Sequence, residues 1–329
     1  MLAAALDHTE RFPVFAPAHA RMSEAMRRGA SATELGGLVE TDVGLAIATL
    51  CAVANADPHL PVSSATAAVD LLGPVRLEKA IASAPVYDVF ETATQPVAEP
   101  ERFRLHALTV QRAADTIACG LSGIDRDGIA MAALLHDTGR IVLSRLHAGY
   151  AERFDRRLDT PEERISAERR EFGIDHALVG GVLARRWRLS APIAATIERH
   201  HSDTGKGPAS VVRLADMLCA YLDGNPVSHQ RMLETAEVCG IGPDALRDLL
   251  YELPRAPGQR RRATAPCPLS RRELEVLRGL SEGKVYKQIA HDLDLSASTV
   301  RSHLHNVYGK LGALDRAQAV LMATDSGWL

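Results

Sequence analysis

The apolar positions of this chain recur at helical spacing. The clearest N-terminal example is the Ala-rich segment 103–117, whose apolar stripe is Phe103, Ala107, Val110, Ala114 and Ile117. Each of these residues lies three or four positions from the next, which places all of them on one helix face. The large N-terminal part lacks short β-branched runs alternating with helices. The pattern therefore predicts an all-α fold and argues against a doubly wound α/β domain.

The C-terminal segment 268–329 predicts four short helices. Ser270 and Glu273 form a capping box at the start of the first helix, and Ser296 is the expected N-cap of the third. The second helix is short and is expected to bury Ile289 while Tyr286 lies outside. The turn 292–298 then joins the second helix to the third, as in a helix-turn-helix.

The third predicted helix has two contrasting faces. Its apolar stripe consists of Val300, Leu304, Val307, Tyr308 and Leu311. Its other face carries short polar or small residues and one long cation, namely Ser298, Thr299, Arg301, Ser302, His305, Asn306 and Gly309. Short donors and acceptors can approach a base edge closely, while an arginine can reach a guanine or a phosphate. The face predicts nucleic-acid binding; the alternative is a dimerisation or docking module with the same packing.

Charge and composition divide the chain into a basic C-terminal part and an acidic remainder. From residue 256 to residue 329, eleven Lys and Arg accompany seven Asp and Glu, a net charge of +4, whereas the remainder carries −7. The segment 254–267, rich in proline and arginine, is the expected linker between a domain at 8–253 and a domain at 268–329. A local basic patch is sufficient for DNA binding, whatever the charge of the whole chain.

Length and cysteine usage narrow the class of protein. A chain of 329 residues with 46% hydrophobic and 24% charged residues is long enough for two domains with their own cores. The longest apolar run is too short to span a bilayer, so no membrane partner is expected. The five cysteines are scattered and form no C-x-x-C pair. This usage predicts a reduced, cytoplasmic protein.

Several histidines and aspartates of the N-terminal part lie at the borders of apolar helices. They are His106, His136, Asp137, His176, His200, His201 and Asp216. Asp216 lies inside an otherwise apolar helix, where an ionised carboxylate costs several kcal/mol unless it has a partner. Together these side chains would offer the nitrogen and oxygen ligands that suit Zn, Fe or Mn. The alternative is that each histidine is hydrogen-bonded to a backbone carbonyl.

The C-terminal motifs resemble the LuxR-type helix-turn-helix. The matching stretches are "LSRRELEVL", "GK..KQIA", "LS.STVR.HL.N" and "KLG" followed by "RAQAV". The resemblance implies a third helix in the major groove of double-stranded DNA. It assigns the DNA-binding role to Lys287, Ser298, Thr299, Arg301, Ser302, His305, Asn306 and Lys310. The two lysines are expected on phosphates; Arg301 stands where the family usually has lysine, so its base preference is expected to differ.

The order H...HD...H...HH...D resembles the HD superfamily of metal-dependent phosphohydrolases. Within it, "FPVFAPAHARMSEAMRRG" and "AVDLLGPVRLEKAIAS" are similar to the opening of an HDOD domain, over about residues 10 to 253. The resemblance implies an HD-like helical bundle, a shared divalent transition-metal site and a phosphate or ligand contact from Arg140. The chain has no GYP after His201, Val43 follows Asp42 where the family has a DP pair, and arginine replaces a lysine at Arg140. These departures argue against catalysis more than against metal binding.

Two functions follow from the two resemblances. In the first, the chain is a one-component transcriptional regulator whose HDOD domain senses a small-molecule or protein signal, or dimerises, and whose C-terminal domain binds promoter DNA. A homodimer is expected because one such domain makes few base contacts. In the second, the HD part is a metal-dependent phosphohydrolase coupled to a DNA-binding tail.

Overall fold

The computed structural model describes residues 6, 9–57, 61–87, 99–150, 154, 160–202, 207–253, 267–313, 316–325 and 328–329. Within these residues the fold is helical, as the apolar spacing predicts. The exceptions are a pair of two-residue parallel strands, β1 (Val14–Phe15) and β2 (Val86–Tyr87), and an isolated parallel bridge between Val62 and Leu189. In the described part, no helix combines the length and the apolar character that crossing a bilayer requires.

Four helices form the first part of the described N-terminal region. They are α1 (Ala16–Arg27), α2 (Ala32–Val39), α3 (Val43–Ala56) and α4 (Ala65–Ser83). Side-chain caps begin three of them, because Ser31, Asp42 and Ser64 each accept a hydrogen bond from a backbone N–H of the first turn. α4 is kinked where Gly73 adopts a φ of 65° and Pro74 follows it. The kink lets α4 pack against both α2 and α3.

Nine helices form the second part of the described N-terminal region. They are α5 (Glu99–Cys119), α6 (Arg126–Leu135), α7 (Thr138–Leu146), α8 (Pro161–Phe172), α9 (His176–Arg186), α10 (Ala191–Arg199), α11 (Pro208–Leu222), α12 (His229–Val238) and α13 (Pro243–Glu252). α5 packs against α6 and α11, and α9 packs against α7 and α10. Every residue from Ala209 to Ala220 on α11 is buried, so this helix lies at the centre of the bundle.

A buried ion pair joins the two parts. Asp42 caps α3 by accepting a hydrogen bond from the Leu45 N–H at 2.9 Å, and its other oxygen lies 2.8 Å from Arg104 Nε on α5. Arg104 Nη2 also donates to the carbonyl of Pro13 at 3.0 Å, and its guanidinium lies over the ring of Phe15. Both charged side chains are almost completely buried. Asp42, the residue retained from the family's DP pair, is therefore a structural joint between α3 and α5.

The C-terminal segment forms the four predicted helices. They are α14 (Arg271–Ser281), α15 (Tyr286–Asp292), α16 (Ala297–Leu311) and α17 (Arg316–Asp325). The predicted capping box is present, with Glu273 N donating to Ser270 Oγ at 3.3 Å and Ser270 N donating to Glu273 Oε2 at 2.6 Å. Ser296 caps α16 as predicted, because the Thr299 N–H donates to its hydroxyl. The stripe of α16, including Val300, is directed into the core.

One predicted exposure on α15 is wrong. The sequence predicts that the Tyr286 side chain is exposed to solvent, but it is 6% exposed and packs in the core. The helix begins at Tyr286, so Tyr286, Ile289 and Ala290 lie at i, i+3 and i+4 and share one face. Of the predicted linker 254–267, all but Cys267 lie outside the described residues. The domain limits therefore stay predictions.

Candidate metal centre and nucleic-acid interface

The junction between α6 and α7 places the His136–Asp137 pair. His136 follows the last residue of α6 and is completely buried, and Asp137 precedes α7 and is 5% exposed. Two residues later, Gly139 packs directly on α9: a Cβ at Gly139 would lie 2.0 Å from the carbonyl oxygen of His176. Glycine at this position is what allows His136 and Asp137 to approach His176.

The structure brings all seven predicted histidines and aspartates together. Two groups have ligand atoms within 4.8 Å of one another: the first is Asp137, His176, His200 and His201, and the second is His106, His136 and Asp216. In the first, His176 Nε2 lies 3.1 Å from both Asp137 Oδ1 and His201 Nε2. In the second, His106 Nε2 lies 3.3 Å from Asp216 Oδ1, which gives the buried carboxylate the partner it needs.

His106 also links the two groups. Its Nε2 lies 3.7 Å from Asp137 Oδ2, and the ring centroids of His136 and His200 are 5.0 Å apart across the groups. The side chains of one cluster therefore come from α5, α9 and α11, from the α6–α7 junction and from the two residues that follow α10. The His106 side chain, at 24% exposure, is the member of the second group nearest to solvent.

Two histidines present unsatisfied lone pairs to this cluster. His136 Nδ1 lies 2.7 Å from the carbonyl of Ala133, and His200 Nδ1 lies 2.7 Å from the carbonyl of Ile197. A carbonyl only accepts, so each Nδ1 carries the proton and each Nε2 carries a lone pair. Among the described residues, neither Nε2 has a hydrogen-bond partner, although both are buried. A buried acceptor without a partner is costly, and a metal ion would satisfy it.

The two aspartates are held ionised. Burial alone would raise the pKa of each, but neighbouring cations and histidines outweigh it and lower both values. For Asp137 the largest opposing influence is the Arg140 guanidinium, whose Nη1 donates to Asp137 Oδ2 at 2.6 Å. For Asp216 it is the hydrogen bond from His106. Arg140 therefore lies at the predicted site, and its contact to a phosphate stays a prediction.

The histidines divide into two electrostatic kinds. Burial and the neighbouring histidines lower the pKa of His200 to about 3, and burial also lowers the pKa values of His136 and His201. For His176, burial is outweighed by Glu168 and Asp137, which raise its pKa to about 10. For His106, burial is outweighed by the hydrogen bond to Asp216 and by the charges of Asp216 and Asp137, which raise its pKa. Metal ligands must be neutral imidazoles and ionised carboxylates. Three histidines and both aspartates already have that state, so the residues fit a divalent transition metal.

Sequence reasoning missed two residues at this site. Glu168 on α8 is completely buried and accepts a hydrogen bond from His176 Nδ1 at 2.8 Å. The Tyr150 hydroxyl donates to Glu168 Oε1 at 2.5 Å. The available signal was that Glu168 follows the apolar Ile165 by three residues, and these two are the buried residues of α8.

The predicted reading face of α16 is open to solvent. The exposed members of the predicted set are Lys287, Ser298, Arg301, Ser302, His305, Asn306 and Lys310. Thr299 is half-buried, and its hydroxyl lies 2.7 Å from the hydroxyl of the cap Ser296. The Lys310 ammonium donates to Glu273 Oε2 at 2.7 Å and so ties α16 to the start of α14. Its contact to a DNA phosphate stays a prediction, as do the base contacts.

The ion pair of Lys310 leads to a testable expectation. Lys310→Met and Glu273→Gln should each lower the free energy of unfolding by about 1 kcal/mol, because each breaks the same contact while glutamine preserves the capping box. The double variant should lose little more than either single variant. Urea unfolding in a Trp187→Phe background, where Trp328 is the remaining tryptophan, measures this. Fully additive losses would show that the two side chains act independently.

Profiles of two known families match the two parts of the chain. The profile of the HDOD domain matches residues 13–203, more than half of the chain. The profile described as bacterial regulatory proteins, luxR family, matches residues 267–323. The first match covers His106, His136, Asp137, His176 and the His200–His201 pair. The second covers the whole of α16.

Relatives with curated descriptions match the C-terminal segment. The transcriptional regulatory protein YxjL of Bacillus subtilis (strain 168) is 43% identical over 60 residues, which are 18% of this chain and 28% of that protein. The HTH-type transcriptional regulator MalT of Yersinia pestis (strain Pestoides F) is 43% identical over 56 residues, 17% of this chain and 6% of that protein. The chain thus spans less than a third of the length of either relative.

Solved structures match about three quarters of the chain. The MmoQ response regulator from Methylococcus capsulatus str. Bath has a TM-score of 0.55 and 23% identity, covering 73% of this chain and 97% of that one. A virulence factor from Campylobacter jejuni subsp. jejuni has a TM-score of 0.55 and 17% identity, covering 77% of this chain and 96% of that one. At these identities the likeness concerns the fold. From the profile matches and this fold, the chain belongs to the HDOD family and carries a C-terminal domain of the luxR family of bacterial regulatory proteins.

Proposed function

We propose that this chain is a transcriptional regulator that binds promoter DNA through α16. The observation that carries the proposal is the exposed polar face of that helix, backed by an apolar stripe whose Val300, Leu304, Val307 and Leu311 are buried. A helix held in this way can enter the major groove without losing its packing. Ser298, Ser302, His305 and Asn306 are short enough to meet base edges, and Arg301 can reach a guanine O6 and N7. Transcriptional regulators among the relatives support the same reading.

The proposal includes a homodimer. One α16 offers few side chains to bases, and two copies on a two-fold DNA site would double the contacts. Half-sites about 10 base pairs apart would follow from the groove repeat. The HDOD domain is the part of the chain available to bring two copies together and to receive a small-molecule or protein signal.

The proposal also gives the HDOD domain a divalent transition metal, Fe, Mn or Zn. Asp137, His176, His200 and His201 would hold one ion, and the second group around His106 could hold another. The metal would supply a Lewis acid at this position. The chain's own residues keep the site ready: the Ala133 and Ile197 carbonyls fix the tautomers of His136 and His200, and burial excludes water from their Nε2 atoms.

A second candidate function is a metal-dependent phosphohydrolase. The observation that favours it is the convergence of all seven histidines and aspartates. Against it, Arg140 holds the Asp137 carboxylate and cannot donate a proton at neutral pH. Turnover of a cyclic or linear nucleotide by the metal-loaded chain, lost in His136→Ala, would support the hydrolase. Metal binding without turnover would count against the hydrolase and agree with the regulator.

DNA binding can be tested with two substitutions that act differently. Arg301→Ala should cost about 1–3 kcal/mol on the preferred duplex and relax its base preference, as expected for a bidentate contact to guanine. Lys287→Ala should weaken all duplexes alike and reduce the salt slope of log Kd by about one. Fluorescence anisotropy at several salt concentrations measures both effects.

The matched control for this test is Arg278→Ala. Arg278 is an exposed arginine on α14 and is not one of the predicted DNA-binding residues, so its removal should leave affinity and base preference as they are. If the Arg301 and Lys287 variants bind every duplex as the unaltered chain does, α16 is not the reading helix and the proposal is wrong.

A further inference from the structure

A buried carboxylate, that of Glu168, contacts the cluster of predicted metal ligands through His176. Glu168 on α8 is completely buried, yet its carboxylate lies outside both ligand groups. It accepts three hydrogen bonds: from His176 Nδ1 at 2.8 Å, from the His176 backbone N–H at 2.8 Å and from the Tyr150 hydroxyl at 2.5 Å. Two of these donors belong to His176, and the third is the Tyr150 hydroxyl.

These contacts determine how His176 presents itself. With Nδ1 directed at the acceptor Glu168, the opposite nitrogen, Nε2, is directed into the cluster, 3.1 Å from Asp137 Oδ1 and 3.1 Å from His201 Nε2. The ring cannot rotate without breaking the bond to Glu168, and α9 cannot shift without breaking the bond from its first backbone N–H. Glu168 thus fixes both the ring and the helix that carries it.

His176 differs in this respect from the other oriented histidines. His136 and His200 are each held by the neutral carbonyl of a residue three positions earlier on their own helix. His176 is held by a charged carboxylate from a different helix. A carboxylate on the far nitrogen makes an imidazole a stronger donor to a metal and fixes its tautomer. A neutral carbonyl would have sufficed for orientation alone.

Tyr150 completes the arrangement. Its phenol donates a short, charge-assisted hydrogen bond to Glu168, and its ring packs against Phe154 and Phe172. The aromatic packing holds the hydroxyl at one position, and the hydroxyl selects one orientation of the carboxylate. The three residues form a chain of contacts, Tyr150 to Glu168 to His176, that ends at the ligand cluster.

We infer that Glu168 is a positioning residue for the metal site, acting through His176, and that Tyr150 holds Glu168 in the orientation this requires. The inference rests on the metal-binding role proposed above and deepens it. In this role Glu168 does not bind the metal itself. It strengthens the bond between His176 and a divalent transition metal.

Cobalt(II) titration of the full chain in competition with a chromophoric chelator tests the inference. Glu168→Gln preserves the size of the side chain and removes its charge; it should lower cobalt affinity about 10–100-fold and shift the visible absorption of the bound ion. Tyr150→Phe should produce a smaller change in the same direction. The matched control is Glu171→Gln, an exposed position on the same helix, which should bind cobalt as the unaltered chain does.

The outcomes separate this inference from the proposal beneath it. If the unaltered chain binds no cobalt, both fail. If it binds cobalt and Glu168→Gln binds with the same affinity and the same absorption, the metal site stands and the role of Glu168 is overturned, even if the variant melts at a lower temperature. Should Glu168→Gln not fold, Tyr150→Phe decides: weaker cobalt binding supports the inference, and unchanged binding overturns it.

Discussion

Arg104→Met is expected to lower the free energy of unfolding by about 3–5 kcal/mol. The substitution leaves Asp42 as a carboxylate with no exposed surface and no cation beside it. It also removes the hydrogen bond to the Pro13 carbonyl and the contact with the Phe15 ring, so the N-terminal helices lose their joint to α5. Urea unfolding at neutral pH measures the loss.

Two further variants make that result specific. Asp42→Asn combined with Arg104→Met should recover part of the lost stability, because no uncompensated charge is then buried. Arg112→Met on the same helix, at an exposed position, should change stability by less than about 0.5 kcal/mol. A loss in Arg104→Met no larger than that of Arg112→Met would mean that the ion pair does not join the two parts.

His200→Ala is expected to remove tight metal binding from the first ligand group. The substitution deletes a buried Nε2 lone pair that has no other partner among the described residues. Since loss of a supporting hydrogen bond already costs about 10–100-fold in metal affinity, loss of a ligand should cost more. Elemental analysis of the chain, stripped with a chelator and reloaded with Zn, Mn or Fe, measures the bound metal.

The matched control for His200 is His229→Ala. His229 is exposed, lies at the start of α12 and contacts Tyr221 outside the cluster. The His229→Ala variant should hold as much metal as the unaltered chain. Equal metal content in the His200 and His229 variants would show that the cluster is not the binding site.

The C-terminal helices could be predicted from the sequence because their signals are local. Ser270 with Glu273 and Ser296 each determine a helix start through hydrogen bonds spanning three residues, and the structure contains those bonds. The prediction for Tyr286 is wrong because its burial depends on where α15 begins. The N-cap, Val285, has no side chain that accepts a hydrogen bond, and that start is held by the Gln288 side chain, which accepts from the Val285 N–H at 3.0 Å. The strands β1 and β2 could not be predicted either, since two residues are too few to show a period.

The histidines and aspartates of the candidate metal centre could be predicted from the sequence, but Glu168, which orients His176, could not. An aspartate inside an apolar helix requires a partner, so Asp216 could be recognised from sequence, and the structure supplies His106. Glu168 lies in the charged run "PEERISAERREF", where a glutamate is usually solvated. Its burial follows from how α8 packs against Tyr150 and His176, which lie 18 and 8 residues away and outside α8. The local pattern that accompanies these contacts is weak, because it consists of the three-residue spacing from Ile165 within a charged run.

Reading of DNA by α16 is the central claim, and selection from a pool of random duplexes by the intact chain tests it most directly. The pool should become enriched in one motif with two related half-sites about 10 base pairs apart. The same selection with Arg301→Ala should give a weaker motif altered at the guanine that Arg301 contacts. A pool that stays random after selection at low salt, with folded and dimeric protein, would contradict the claim.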